Sequence, residues 1–282
     1  VYRDNREKII NQVEQMKLVF KEFNLKTAVI KQDVEPLVEK ILQYMDEKNG
    51  GFKGAPKFPQ LYIFDTIFYF YNKNKKNTFL DVVRKLLNNI SSKGIYDHLG
   101  GGISRYTVDE KWIVPHFEKM LYDNILFVRT LNNYLANRQD QKLSNKLIQT
   151  IDFINTEFLN DKNLLGSAYD ADSEGMEGKY YVWKNEEIKG LLGNDVDIFK
   201  KKYLITKEGN FEGSNILIEN DNYELNENEL EILNKSEKKL LDERKKRVKP
   251  FFDDKSQTDL NSFWISVSYT HLTLPTIRRW WG

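Results

Sequence analysis

Apolar positions at Ile9, Ile10, Val13, Met16, Val19 and Phe20 recur at the spacing of an amphipathic helix, which predicts a helix from about Arg3 to Phe23. A second such series, Val34, Leu37, Val38, Ile41, Leu42 and Met45, predicts a helix over Asp33 to Glu47. Asn49 to Gln60, with three Gly and two Pro, interrupts the pattern and reads as loop. Two helices follow, over residues 61–73 and 77–93. The first carries Ile63, Phe64, Ile67, Phe68 and Phe70 around much of its circumference, as a helix packed on two sides would.

A long loop, about Lys93 to His116, comes next. Pro115 suits the first turn of a helix that would run on through residues 120–137. Further helices are predicted at Gln141 to Phe158, from about Lys184 to Glu187 onward, and from Glu227 to Arg247. The segment Lys179–Trp183 is strand-like, and Asn210 to Ile218 reads as loop plus a short extended piece. The rhythm is helix, loop, helix, with buried and amphipathic helices alternating. That pattern predicts an all-α protein and fits two concentric rings of antiparallel helices, a toroid; a stacked solenoid has similar periodicity.

Composition narrows the function classes. With 43 Lys+Arg against 42 Asp+Glu, the net charge of +1 removes the usual electrostatic argument for a nucleic-acid or anionic-membrane partner. No apolar run approaches the roughly 18–20 residues that cross a bilayer. We therefore expect a soluble, cytoplasmic protein. The absence of cysteine excludes thiolate catalysis and cysteine-ligated zinc in this chain. The chain opens on Val1 with no apolar h-region, so no signal peptide is read and a piece of a longer protein is expected.

Three groups of residues carry candidate chemistry. The first is Asp97, His98, Gly100–Gly102, Arg105, Tyr106 and Asp109. Three consecutive glycines belong where the chain needs φ > 0 or a close approach, which serves a binding loop and a tight structural turn equally well. The second is the segment Val114 to Asn124. If a helix opens at Pro115, His116 and Asp123 share one face about 10 Å apart, and Glu118 and Tyr122 form an i, i+4 pair. The helix dipole would then favour the neutral imidazole that a general base requires. The third is Asp170, Asp172 and Glu174, followed by Gly175. It copies half of a calcium loop, but the twelfth position is Tyr181, so an acidic turn or carboxylates aimed into a cleft are the better readings. No metal site and no cofactor are expected.

Five motifs, GGFKGAPKFP, YDHLGGGISRYTVDEKWIVPHFEKMLYDN, AYDADSEGMEGKYYVW, EGNFEGSNIL and RKKRVKPFFDDK, stand in that order. Together they closely resemble the thioredoxin-domain-containing proteins related to spermatogenesis-associated protein 20. The resemblance runs from about Tyr2 to Ile265. It implies an incomplete (α/α)6 toroid of the six-hairpin glycosidase-like kind, with long Gly-rich loops and a short β-hairpin-like insertion. It also implies a thioredoxin-like domain elsewhere in the full-length protein. The pattern departs near the end, where Leu260 and Ser262 replace the family's Trp and Gly. Residues Val267 to Thr276 resemble a translated sequencing adapter. Residues 1–265 are thus expected to be partial toroid, and 266–282 a non-native tail, which sets His271 aside.

In this resemblance a carbohydrate ligand would enter a funnel formed by loops at the inner-helix ends. The expected catalytic groups are Asp97, His98, His116, Glu118 and Asp123. Arg105, Tyr106, Trp112, Tyr122, Asp170, Asp172 and Glu174 would bind substrate. Paired carboxyls would serve glycoside hydrolysis, and His98 with His116 would serve epimerisation beside a carbonyl. The remaining alternative is a non-catalytic scaffold for the thioredoxin-like module. Half a ring leaves inner helices uncovered, so little turnover is expected of this piece alone.

Overall fold

The computed structural model describes residues 6–24, 34–136 and 138–272. Arg3, Asp33, Asn137 and the adapter-like residues 273–282 lie outside the described residues. The chain divides into two compact units, residues 1–40 and 41–282. In the first, α1 spans Arg6–Asn24. Helix α2, Glu35–Leu42, is shorter than its apolar series predicts, because Met45 leaves the helix to bridge Phe52 across the glycine-rich turn.

The larger unit is built on helical hairpins. Helix α3 (Leu61–Asn74) turns through Lys75, in the left-handed region, into α4 (Asn77–Ser92). Helix α5 (Leu121–Leu135) pairs with α6 (Gln141–Glu157), whose first turn is capped by the Asp140 carboxylate accepting from Leu143 N. Helix α3 packs on α5, α5 on α10 (Thr258–Leu272), and α4 on α6. An inner row, α3–α5–α10, is therefore backed by an outer row, α4–α6. This is the all-α, two-layer arrangement read from the alternation of buried and amphipathic helices. The buried Leu121, Ile125, Phe127, Val128, Leu131 and Tyr134 surround α5, as its central position demands.

A separate helical packet follows. Helices α7 (Asn185–Leu192) and α8 (Val196–Lys202) both pack on α9 (Glu227–Arg244), around Trp183, Ile188, Phe199, Tyr203, Leu233 and Leu240. Asn226 and Glu229 close a capping box at the start of α9. That helix ends three residues before Arg247. Residues Lys179–Trp183 form a turn rather than a strand; only Trp183 bridges, to Asn215. Among the described residues no helix is long and apolar enough to cross a membrane.

The loops carry the only strands among the described residues, all two residues long. β1 (Tyr106–Thr107) pairs antiparallel with β2 (Pro115–His116). β4 (Ala168–Tyr169) sits between β3 (Lys119–Met120) and β7 (Phe252–Asp253), and β5 (Asp172–Ser173) pairs with β6 (Met176–Glu177). The helix predicted to open at Pro115 thus begins six residues later, at Leu121, and residues 115–120 are extended. His116 is not in a helical first turn and shares no helix face with Asp123, and Glu118 with Tyr122 is not an i, i+4 pair. Pairing with β1 and β4 outweighs the first-turn preference of proline.

Candidate functional site

Burial alternates strictly from Pro115 to Leu121: odd-numbered residues are buried and even-numbered ones partly exposed. Successive side chains of an extended segment point to opposite faces, so His116 and Glu118 face one way while Pro115, Phe117 and Lys119 face the other. That alternation sorts the candidate residues into two places.

On the open face, Arg105 Nη1 donates to Glu118 Oε2 at 2.9 Å, and Arg105 N donates to Glu118 O at 2.9 Å. The Tyr122 hydroxyl lies close to both Arg105 and the neighbouring Asp123 carboxyl. Asp123 sits in the first turn of α5 with its Oδ2 buried and without a partner. Burial pushes its carboxyl up to about 7, Arg105 and Tyr122 opposing and Glu118 adding to the rise. A carboxyl poised near neutrality, with an arginine and a phenol beside it, can hold or release a proton at physiological pH.

The same face carries an aromatic wall. The register Tyr106↔His116 lays these rings face to face, 4.8 Å apart. Tyr106 also stacks on Phe58 at 4.7 Å, because Lys57 pairs with Thr107 through two backbone hydrogen bonds of 2.7 and 2.9 Å. His116 Nδ1 lies 2.6 Å from Glu177 Oε1, so a carboxylate orients the imidazole and leaves Nε2 for other work. Glu177 is not among the residues that the sequence singles out; the backbone turn brings it in. Glu174 and Gly175 both have φ > 0, as a two-residue type I′ loop requires, and that loop places Glu177 opposite Asp172.

Arg105, Tyr106, His116, Glu118, Tyr122 and Asp123 thus lie together on the open face. Other candidates do not. His98 has a fully buried side chain whose ring nitrogens reach Lys93 O at 3.0 Å and both Lys146 Nζ (3.1 Å) and Glu219 Oε1 (3.2 Å), so its polar atoms are taken up by protein groups away from this cluster. Burial, with Lys146 beside it, holds its pKa below the ordinary histidine value. Asp97 lies on the opposite face of the strand, gripped by Arg244 and Lys119. Burial alone would raise its pKa, but those two cations keep it well below the carboxylate range. It also caps its own loop, accepting from Leu99 N and Gly100 N. The three glycines answer to packing: a Cβ on Gly102 would lie 2.5 Å from the Phe153 ring, and one on Gly100 would meet the Arg244 guanidinium at 2.1 Å.

Trp112 is a further correction. It is fully buried at φ 65°, and its indole donates to Asn49 O at 2.9 Å, pinning two loops together rather than lining a cleft. Asp170 and Glu174 are exposed. Asp170 accepts from Ala171 N, and Glu174 pairs with Lys179 at 2.8 Å. Asp172 is exposed and joins the cluster only as the cross-strand neighbour of Glu177.

Fold and site define a protein of layered helical hairpins whose loops carry a cluster of ionisable side chains beside stacked aromatics. The chain is similar to spermatogenesis-associated protein 20 of Homo sapiens, 29% identical over 259 residues that make up 78% of this chain and 33% of that protein. It is also similar to the Mus musculus protein of that name, 30% identical over 189 residues (60% of this chain, 24% of that protein). An uncharacterized Caenorhabditis elegans protein is 32% identical over 162 residues (53% of this chain, 22% of that protein). The likeness to spermatogenesis-associated protein 20 read from the five motifs is borne out. The chain spans a third or less of the length of these relatives. No protein-family model matches it. Among solved structures, a sugar epimerase from a ruminal bacterium covers 86% of this chain and 70% of its own at 15% identity and a TM-score of 0.42. Cellobiose 2-epimerase from Bacillus thermoamylovorans covers 87% and 72% at 16% identity and a TM-score of 0.40. Likenesses of that degree carry no argument about activity.

Proposed function

We propose that the cluster of Arg105, Tyr106, His116, Glu118, Tyr122, Asp123 and Glu177 binds a carbohydrate and serves acid–base chemistry on it. The observation that carries this reading is the Asp123 carboxyl, buried and unpartnered at Oδ2 beside Arg105 and held near neutrality. A buried carboxyl oxygen without a hydrogen-bond partner is costly in a structural role and useful as a proton donor. The stacked Phe58, Tyr106 and His116 rings offer the apolar platform on which a sugar face lies, and Arg105 and Glu118 offer hydroxyl partners.

The His116–Glu177 pair favours proton transfer beside a carbonyl, the epimerase-like branch, over hydrolysis by two carboxyls. In this scheme His116 Nε2 takes the proton and Asp123 supplies one to the oxygen that becomes a hydroxyl. His98 takes no part, so a two-histidine mechanism is set aside. A thioredoxin-like domain in the full-length protein, with this region as its scaffold, is the competing reading. Titrating the chain with mono- and disaccharides by calorimetry tests the proposal. Saturable binding lost in Asp123→Asn and in His116→Ala supports it; no binding of any sugar by a folded chain leaves the scaffold reading.

A further inference from the structure

A second polar region lies on the opposite face of the 115–120 segment. Arg244 donates to both carboxylate oxygens of Asp97, at 2.8 and 2.9 Å, and Lys119 Nζ donates to Asp97 Oδ2 and to Gly101 O, each at 2.8 Å. Arg244 and Lys119 are both almost fully buried. Two buried cations therefore share one buried carboxylate. A buried charge without its own counter-charge is expensive, and burial accordingly lowers the pKa of Lys119.

These residues line a cavity of about 230 Å³ between α6, the end of α9 and the β3–β4 pair. Its walls include Phe153, Tyr169, Tyr180 and Tyr181, and its rim carries the exposed Lys245 and Lys249. Lining groups number four cations (Lys119, Arg244, Lys245, Lys249) against three carboxylates (Asp97, Asp152, Glu157). Lys249 is already paired with Glu157 at 2.7 Å, and Asp152 lies at the exposed rim, so the unbalanced positive charge is the inner one. Lys119 lies over the rings of Phe153 and Tyr181, 4.3 and 5.0 Å from their centroids, so the aromatic wall and the charge meet at one place.

We propose that this cavity binds a small organic phosphate, its oxyanion facing Lys119 and Arg244 and its body lying against the tyrosines. The volume exceeds what inorganic phosphate would fill, and the aromatic wall asks for a ring or sugar. This site is independent of the carbohydrate cluster, since side chains of the opposite strand face build it.

The probe is phenyl phosphate, titrated into the full chain by calorimetry at fixed ionic strength, with phenol and inorganic phosphate alongside. Phenyl phosphate is expected to bind saturably, inorganic phosphate more weakly, and phenol not at all. Lys245→Gln combined with Lys249→Gln, both exposed and so compatible with folding, is expected to weaken binding by about tenfold. Thr156→Trp, which fills the mouth, is expected to abolish it while sugar titration stays unchanged. No saturable binding of phenyl phosphate, or binding that both variants leave intact, overturns the proposal.

Discussion

Arg244 grips Asp97 through two parallel hydrogen bonds of 2.8 and 2.9 Å, joining residues 147 positions apart. This pair ties the end of α9 to the glycine loop before β1, and Lys119 is its third member. Truncation as Arg244→Ala strips the buried carboxylate of its main partner and should cost about 3–5 kcal/mol. Urea unfolding measures it, and a loss under about 1 kcal/mol would mean that the pair contributes little.

His98, enclosed by Lys93, Lys146 and Glu219, is expected to act in stability and not in chemistry. His98→Gln should cost about 1–3 kcal/mol by leaving Glu219 and Lys146 poorly satisfied, yet leave sugar affinity unaltered. Its pKa is lowered on folding, so below the ordinary histidine value the unfolded chain binds the extra proton. Stability therefore falls as pH drops through about 6.5. The variant should flatten that slope relative to the parent; a sugar titration that changes instead would return His98 to the site.

Asp123 has the opposite sign. Its carboxyl rises to about 7 in the folded chain, so between about pH 4 and 7 the folded state holds a proton that the unfolded state has lost. Stability should fall as pH rises across that window, by about 2–4 kcal/mol in all. Asp123→Asn should remove this component and stabilise the chain near pH 7. Thermal melts of both proteins from pH 4 to 8 read the difference, and parallel curves would refute the assignment.

Tyr106 stands between Phe58 and His116, stacked on both. Tyr106→Ala should lose about 1–3 kcal/mol of stability and weaken sugar binding by about tenfold. Tyr106→Phe keeps both stacks and should restore most of each. Calorimetry and melting of the two variants decide it: equal loss in both would place the hydroxyl, and not the ring, at the centre of the role.

Much of the helical framework is legible in the chain because helix formation is local. Phe64, Ile67 and Phe68, or Val83, Leu86 and Leu87, declare a buried face within a few residues of one another, and α3 and α4 lie within two residues of their predicted limits. The site is legible only in part. Arg105 and His116 stand out as residue types on the long glycine-rich segment and Asp123 just beyond it, but whether a side chain such as Trp112 or His98 faces solvent or core is not a local property.

By itself the sequence determines the periodic elements, the turn residues and the charge balance, all of which depend on neighbours a few positions away. The tertiary structure alone decides that 115–120 is extended, with β2 and β3 at its two ends, since its partners come from Tyr106 and from Ala168. That one choice, made by non-local backbone hydrogen bonds, sets the side-chain period to two and sends Glu118 to Arg105 but Lys119 to Asp97.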